Sequence, residues 1–118
     1  MNVMKVTIFH NPRCSTSRNT LAYLRDKDID PEIVQYLKDT PTVEELRELF
    51  DQLGVPVHAG IRTKEAEYKE LGLSPDTPEN ELIDAIVSHP KLLQRPIVVT
   101  DKGSRIARPT IDAIDDIL

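Results

Sequence analysis

At 118 residues, with 39% hydrophobic side chains and a formal net charge of −5, the chain is sized for one domain with one core. Its 20 acidic side chains outnumber 15 basic ones, which leaves no basic excess for nucleic acid. No apolar run approaches the roughly 20 residues that cross a bilayer, so no membrane role is expected.

Cysteine is used once, at Cys14, so no intramolecular disulfide can form and a reducing compartment is implied. The N-terminus "MNVMKVTIFH" lacks the apolar segment and small-residue cleavage site of a secretion signal. The expected location is cytoplasmic.

In chain order, Met4, Val6 and Ile8 alternate with Lys5 and Thr7, and Phe9 follows, the period-two pattern of a strand. "NPRCSTS" interrupts it. A helix is predicted from about Ser15 to Asp28, with Leu21, Ala22 and Leu24 on its apolar side. "DIDPEIVQYL" reads as a turn and a second strand, Ile33 to Tyr36, and the two strands with one short helix between them suggest a right-handed parallel βαβ unit.

The middle is helical. Thr42 and Glu45 form a capping box for a helix whose apolar face is Val43, Leu46, Leu49, Phe50 and Leu53, and Gly54 suits the position after its end. A loop with a short helix ending near Gly72 follows. The next helix has Thr77 as its cap, Pro78 in its first turn and Leu82, Ile83, Ile86 and Val87 inward, and His89-Pro90 stops it.

"PIVVT", "DKGS" and "RIAR" make a hairpin, and "PTIDAIDDIL" a short C-terminal helix. The order β-α-β, helices, β-β-α describes an α/β domain with a mixed sheet of four strands. With no linker or low-complexity tract in view, one domain over residues 1–118 is expected.

Cys14 stands where the first strand gives way to the first helix. Free amides and the helix dipole there favour a thiolate. Lowering a thiol pKa by two units takes roughly 2.7 kcal/mol of preference for the anion. A helix N-terminus supplies about 0.3–1 kcal/mol, rising to about 2 in favourable geometry, so neighbours must contribute. His10, Arg13, Arg18 and the hydroxyls of Ser15, Thr16 and Ser17 are at hand. A lone cysteine is more often a small buried hydrophobe than a nucleophile, but a packing cysteine has no need of that polar company.

Spacing excludes two chemistries. "CSTSR" is C-x3-R, whereas a cysteine phosphatase loop wants C-x5-R, and position 20 is Thr20. A dithiol oxidoreductase wants C-x-x-C, and position 17 is Ser17. Any redox cycle through Cys14 must therefore draw electrons from an outside thiol.

"HNPRCSTSRNTL", "QRPIVVT" and "RPT" together resemble the glutaredoxin-dependent arsenate reductase family, over essentially the whole chain from Thr7 to Leu118. The resemblance implies a thioredoxin-like fold enlarged by extra helices. It implies Cys14 as the nucleophile, His10 as an aid to its ionisation, and Asn11 and Ser17 beside the thiolate. Arg62, Arg95 and Arg108 match the arginines that hold the oxyanion, and Pro96 matches a cis proline before the third strand that faces the cysteine. Planar guanidinium groups suit a tetrahedral dianion through paired, charge-assisted hydrogen bonds. Arg62 also has a plain reading as a solvated loop charge.

Lys38, Arg47 and Lys69 are read as solvated helix charges, His58 and His89 as structural or exposed, and no metal site is expected. The implied partners are arsenate, glutathione as co-substrate and glutaredoxin as reductant, with no bound cofactor and a monomeric chain. Two other readings come from relatives: a redox regulator that binds RNA polymerase, which typically carries the C-x-x-C absent here, and a monothiol glutaredoxin-like role, for which a glycine is expected where Ser15 stands.

Overall fold

The structure, a computed structural model, describes residues 5–118. Met4, placed in the first strand by its alternation, lies outside the described residues. The chain divides into two compact units, one drawn from Met1–Asp39 and Arg95–Leu118 and the other from Thr40–Gln94.

The first unit contains β1 (Thr7–Phe9), α1 (Ser15–Asp26), β2 (Glu32–Val34), β3 (Ile97–Thr100), β4 (Gly103–Ile106) and a 3₁₀ helix over Ile111–Ile117. Among the described residues, four strands form one sheet in the order β2-β1-β3-β4. β1 is parallel to β2, with Ile8 opposite Ile33, and antiparallel to β3, with Ile8 opposite Val98. β3 and β4 make the expected hairpin. This is the mixed, thioredoxin-like arrangement that the resemblance implied. One face of the sheet packs Val6, Ile8 and Val98 against Leu21 and Leu24 of α1 and Ile114 and Ile117 of the C-terminal turn.

Three boundaries differ from the sequence expectations. α1 stops at Asp26 rather than Asp28, because Asp28 turns into the left-handed region at φ 60°. β2 covers Glu32–Val34 rather than Ile33–Tyr36, and Tyr36 is fully buried beyond its end. The C-terminal segment is 3₁₀ rather than α-helical. Its isoleucines recur every third residue, at 111, 114 and 117, and three residues per turn puts them on one side.

The second unit holds α2 (Val43–Leu53), a 3₁₀ turn over Val57–Gly60, α3 (Ala66–Glu70), α4 (Glu79–Ser88) and a 3₁₀ turn over Pro90–Leu92. The capping box of α2 is present in full: the Glu45 N–H donates to Thr42 Oγ1, and the Thr42 N–H donates to Glu45 Oε1. Gly54 ends the helix in the left-handed conformation, at φ 67°. α2 packs on α4, and α4 packs on the Val57–Gly60 turn. Gly60 lies against the Phe50 ring so closely that a Cβ there would stand 2.3 Å from Cε1.

The predicted cap of α4 is displaced by one residue. Pro78 occupies the cap position, and Thr77 Oγ1 instead accepts the Ser74 N–H at 2.9 Å, closing the preceding turn. Val87 is only half-buried, and Ala85 takes an inward position beside Leu82, Ile83 and Ile86. Among the described residues, no helix is long and apolar enough to cross a membrane.

Candidate active site

The loop between β1 and α1 is tied by its own backbone. The Cys14 N–H donates to the Asn11 carbonyl at 3.0 Å, and the Cys14 carbonyl accepts the Arg18 N–H at 3.0 Å, the first bond of the helix. Asn11 is buried and used three ways. Its carbonyl holds Cys14, its Oδ1 accepts the Arg13 N–H at 3.0 Å, and its own N–H donates to Ser17 Oγ at 3.1 Å. Ser17, fully buried, also meets His10 Nδ1 at 2.6 Å. The His10 N–H is anchored on the Val34 carbonyl of β2 at 2.8 Å. Arg18 Nη1 donates to the Pro12 carbonyl at 2.9 Å.

These bonds make Cys14 the N-cap residue of α1, at φ −93° and ψ 122°, with no acidic residue in the first helical turn. Burial pushes its thiol pKa up. The Ser17 N–H, the Arg95 guanidinium by hydrogen bond and by charge, and the Thr16 N–H outweigh that penalty, and the pKa is lowered. The anion gains more from fixed dipoles and one cation than it loses in hydration.

The His10 pKa is lowered as well, which for a base favours the neutral form. Burial, then Arg25 and Arg18, hold its pKa below the usual imidazole value, so the ring is neutral near pH 7. Its ring meets Ser17, and it bears on the thiol through the loop that Ser17 fastens.

Two arginines converge on the sulfur from the β3–β4 side. Arg95 precedes β3; its pKa is raised, burial opposing and Cys14 and Tyr36 together more than compensating. Arg95 Nε is buried and has no hydrogen-bond partner among the described residues. Arg108 Nε donates to the Arg95 carbonyl at 3.0 Å, and its Nη2 lies 4.0 Å from Cys14 Sγ. Both arginines precede cis prolines, Pro96 and Pro109.

Of the residues singled out from the sequence, His10, Asn11, Cys14, Ser17, Arg95, Pro96 and Arg108 all fall in the first unit. Arg62 belongs to the second, where its N–H donates to the Leu92 carbonyl at 2.7 Å and its Nε pairs with Glu65 at 3.0 Å. Tyr36 and the second cis proline were not anticipated. Tyr36 read simply as the last apolar position of a strand. The second cis bond had a visible signal, since Arg-Pro occurs twice, in "RPI" and "RPT". Among the described residues, no group of three or more histidine, cysteine or carboxylate side chains is gathered to hold a metal ion.

A thiol whose pKa is lowered by amides and a guanidinium group offers a nucleophile beside donors for a small anion. The chain matches the ArsC family over residues 9–115. It is 46% identical over 113 residues to an arsenate reductase of Rhizobium meliloti strain 1021, covering 95% of this chain and 81% of that one. It is 45% identical over 106 residues to an arsenate reductase of Escherichia coli strain K12, covering 89% and 75%. The solved structure of an arsenate reductase from Vibrio cholerae superposes with a TM-score of 0.94 at 45% identity, covering 99% of this chain and all of that one.

Proposed function

Since the chain belongs to the ArsC family, we propose that it reduces arsenate to arsenite, with Cys14 as nucleophile, glutathione as co-substrate and glutaredoxin as the final reductant. The observation that carries this reading is the Cys14 sulfur at the N-cap of α1, with Arg95 against it and Arg108 Nη2 at 4.0 Å.

The Cys14 thiolate attacks arsenic, and one oxygen ligand leaves as water after taking up protons. Glutathione displaces a second oxygen, also as water, which leaves arsenic(V) bonded to two sulfurs. A glutaredoxin thiolate then attacks the glutathione sulfur. The arsenic–sulfur pair of electrons passes to arsenic, which becomes arsenic(III), and a glutaredoxin–glutathione mixed disulfide departs. Water releases arsenite and returns Cys14 to its thiol form. The lone cysteine requires the second and third sulfurs to come from outside the chain.

Arg95 and Arg108 offset the charge of arsenate and of its sulfur adducts; this local focusing matters because the chain as a whole carries −5 and repels anions. Arg62 is the third arginine of this reading, and serving the oxyanion requires it to share its guanidinium between Glu65 and substrate. Asn11 and Ser17 hold the loop, and neutral His10 holds Ser17. The reaction takes place in the cytoplasm, with the chain as a monomer.

The test is a coupled assay with glutathione, glutaredoxin and its NADPH-dependent regeneration. NADPH consumption should require arsenate and disappear in Cys14→Ser. Arsenate-independent consumption, or wild-type turnover by Cys14→Ser, would refute the assignment.

A further inference from the structure

Two cations flank Cys14 that the oxyanion chemistry leaves unused. Arg13 stands immediately before it and Arg18 four residues after it, and both are exposed. Each is fixed at its base. The Arg13 N–H donates to Asn11 Oδ1 at 3.0 Å, and the Arg18 N–H donates to the Cys14 carbonyl at 3.0 Å. The Arg18 side chain turns back over the loop, where its Nη1 donates to the Pro12 carbonyl at 2.9 Å. A guanidinium has five N–H donors in one rigid plane, so holding one edge sets the direction of the others.

Neither side chain is spent on a carboxylate. Among the described residues, the ion pairs are those of Arg62 with Glu65 and Arg105 with Asp116, and the first turn of α1 contains no acidic residue. The other cations of α1 are remote from the loop: Arg25 stands in its last turn, and Lys27 beyond it lies over the Tyr23 ring. Two guanidinium groups without carboxylate partners, on either side of the reactive sulfur, reverse locally the field of a chain that carries −5.

The lone cysteine requires a second sulfur to reach this point from outside. Glutathione brings that sulfur as an anion, with two carboxylates and one ammonium. Its γ-glutamyl carboxylate shares a carbon with the ammonium, whereas its glycyl carboxylate has no cation of its own.

We propose that Arg18 and Arg13 form the co-substrate subsite: Arg18 takes the glycyl carboxylate of glutathione on the free edge of its fork, and Arg13 adds a second positive charge beside it. Arginine suits this task because its fork matches the two oxygens of a carboxylate. A tripeptide held there by its carboxylate has its thiol beside Cys14, while Arg95 and Arg108 remain with the oxyanion. The subsite orients the thiol and forms no bond of its own. The inference rests on the reading of glutathione as co-substrate.

The test compares glutathione with its glycyl ethyl ester in the coupled assay, at saturating glutaredoxin. Arg18→Ala should lower kcat/KM for glutathione about three- to tenfold, the scale of a well-aligned Arg–carboxylate pair near solvent. With the ester, the same substitution should cost at least threefold less, because the group that Arg18 would hold is already blocked. Any cost of the ester at glutaredoxin is common to both proteins and cancels, as does any disturbance of the Cys14 loop that Arg18→Ala brings. An equal penalty with the two thiols overturns the proposal.

Salt provides a test on the wild-type protein, which stands even if the variant misfolds. Attraction by Arg13 and Arg18 predicts that kcat/KM for glutathione falls as salt rises, with a smaller fall for the ester. A rate with glutathione that rises with salt, as repulsion by the net charge would give, or equal dependence for both thiols, also overturns it. If neither thiol supports arsenate-dependent NADPH consumption, the co-substrate reading itself fails, and the subsite with it.

Discussion

The two units of this chain are held by different kinds of bond. In the second, the side-chain bonds that cap its helices and close its turns include several that are short in sequence. Thr42 and Glu45 close the capping box three positions apart, Arg62 and Glu65 pair three apart, and Thr77 closes a turn on Ser74. In the first, the active sulfur depends on partners brought from far away. Arg108 lies 94 positions from Cys14, and Arg95, which it braces, comes from the same end of the chain. Local bonds build helices, which are scaffolding. Distant bonds gather charge at one point, which only the completed sheet can do.

That contrast predicts that damage to the two units should look different. The largest effect should come from Arg95→Ala. Removing a directed donor from a developing anion costs about 10²- to 10³-fold in turnover, and kcat/KM for arsenate should drop in that range while the thermal midpoint barely changes. Arg62→Ala should cost less, because its guanidinium is already engaged by Glu65. Steady-state kinetics on both variants would settle the order, and an equal loss would erase the distinction drawn between them.

Gly60→Ala should do the reverse. The added methyl would press into the Phe50 ring, and overpacking of this kind costs about 1–3 kcal/mol. Denaturant unfolding should register the loss, with Cys14 alkylation in the folded protein unchanged. An altered alkylation rate would mean that the two units are less separable than their bonding suggests. Thr42→Ala is the smallest change: losing the side-chain cap of α2 should cost about 1 kcal/mol, again read by unfolding and again silent at the sulfur.

The same contrast explains what could be read from the sequence. The capping box and Gly54 were legible because each is a local rule obeyed locally. The Thr77 cap was misplaced by one residue because a hydroxyl can close a turn as well as start a helix, and here it closes the turn at Ser74. The parallel βαβ unit and the hairpin followed from the element order, whereas the antiparallel seat of β3 beside β1 did not. Cys14, His10, Asn11 and Ser17 were legible together because they lie within one loop and the first turn of one helix.

The convergence of Arg95 and Arg108 was reached only through a family resemblance, since nothing in composition or spacing brings residues 14, 95 and 108 together.

The central claim is that Cys14 is a thiolate stabilised by its surroundings, and the pH dependence of its alkylation tests that claim most directly. Its pKa is lowered in the fold, so the thiolate lends stability above the unfolded-state pKa, and that contribution is lost as pH falls through the folded value. The account predicts that the alkylation midpoint lies below that of the same thiol in urea-unfolded chain and moves up toward it in Arg95→Ala. Coincident midpoints for folded and unfolded protein would contradict it.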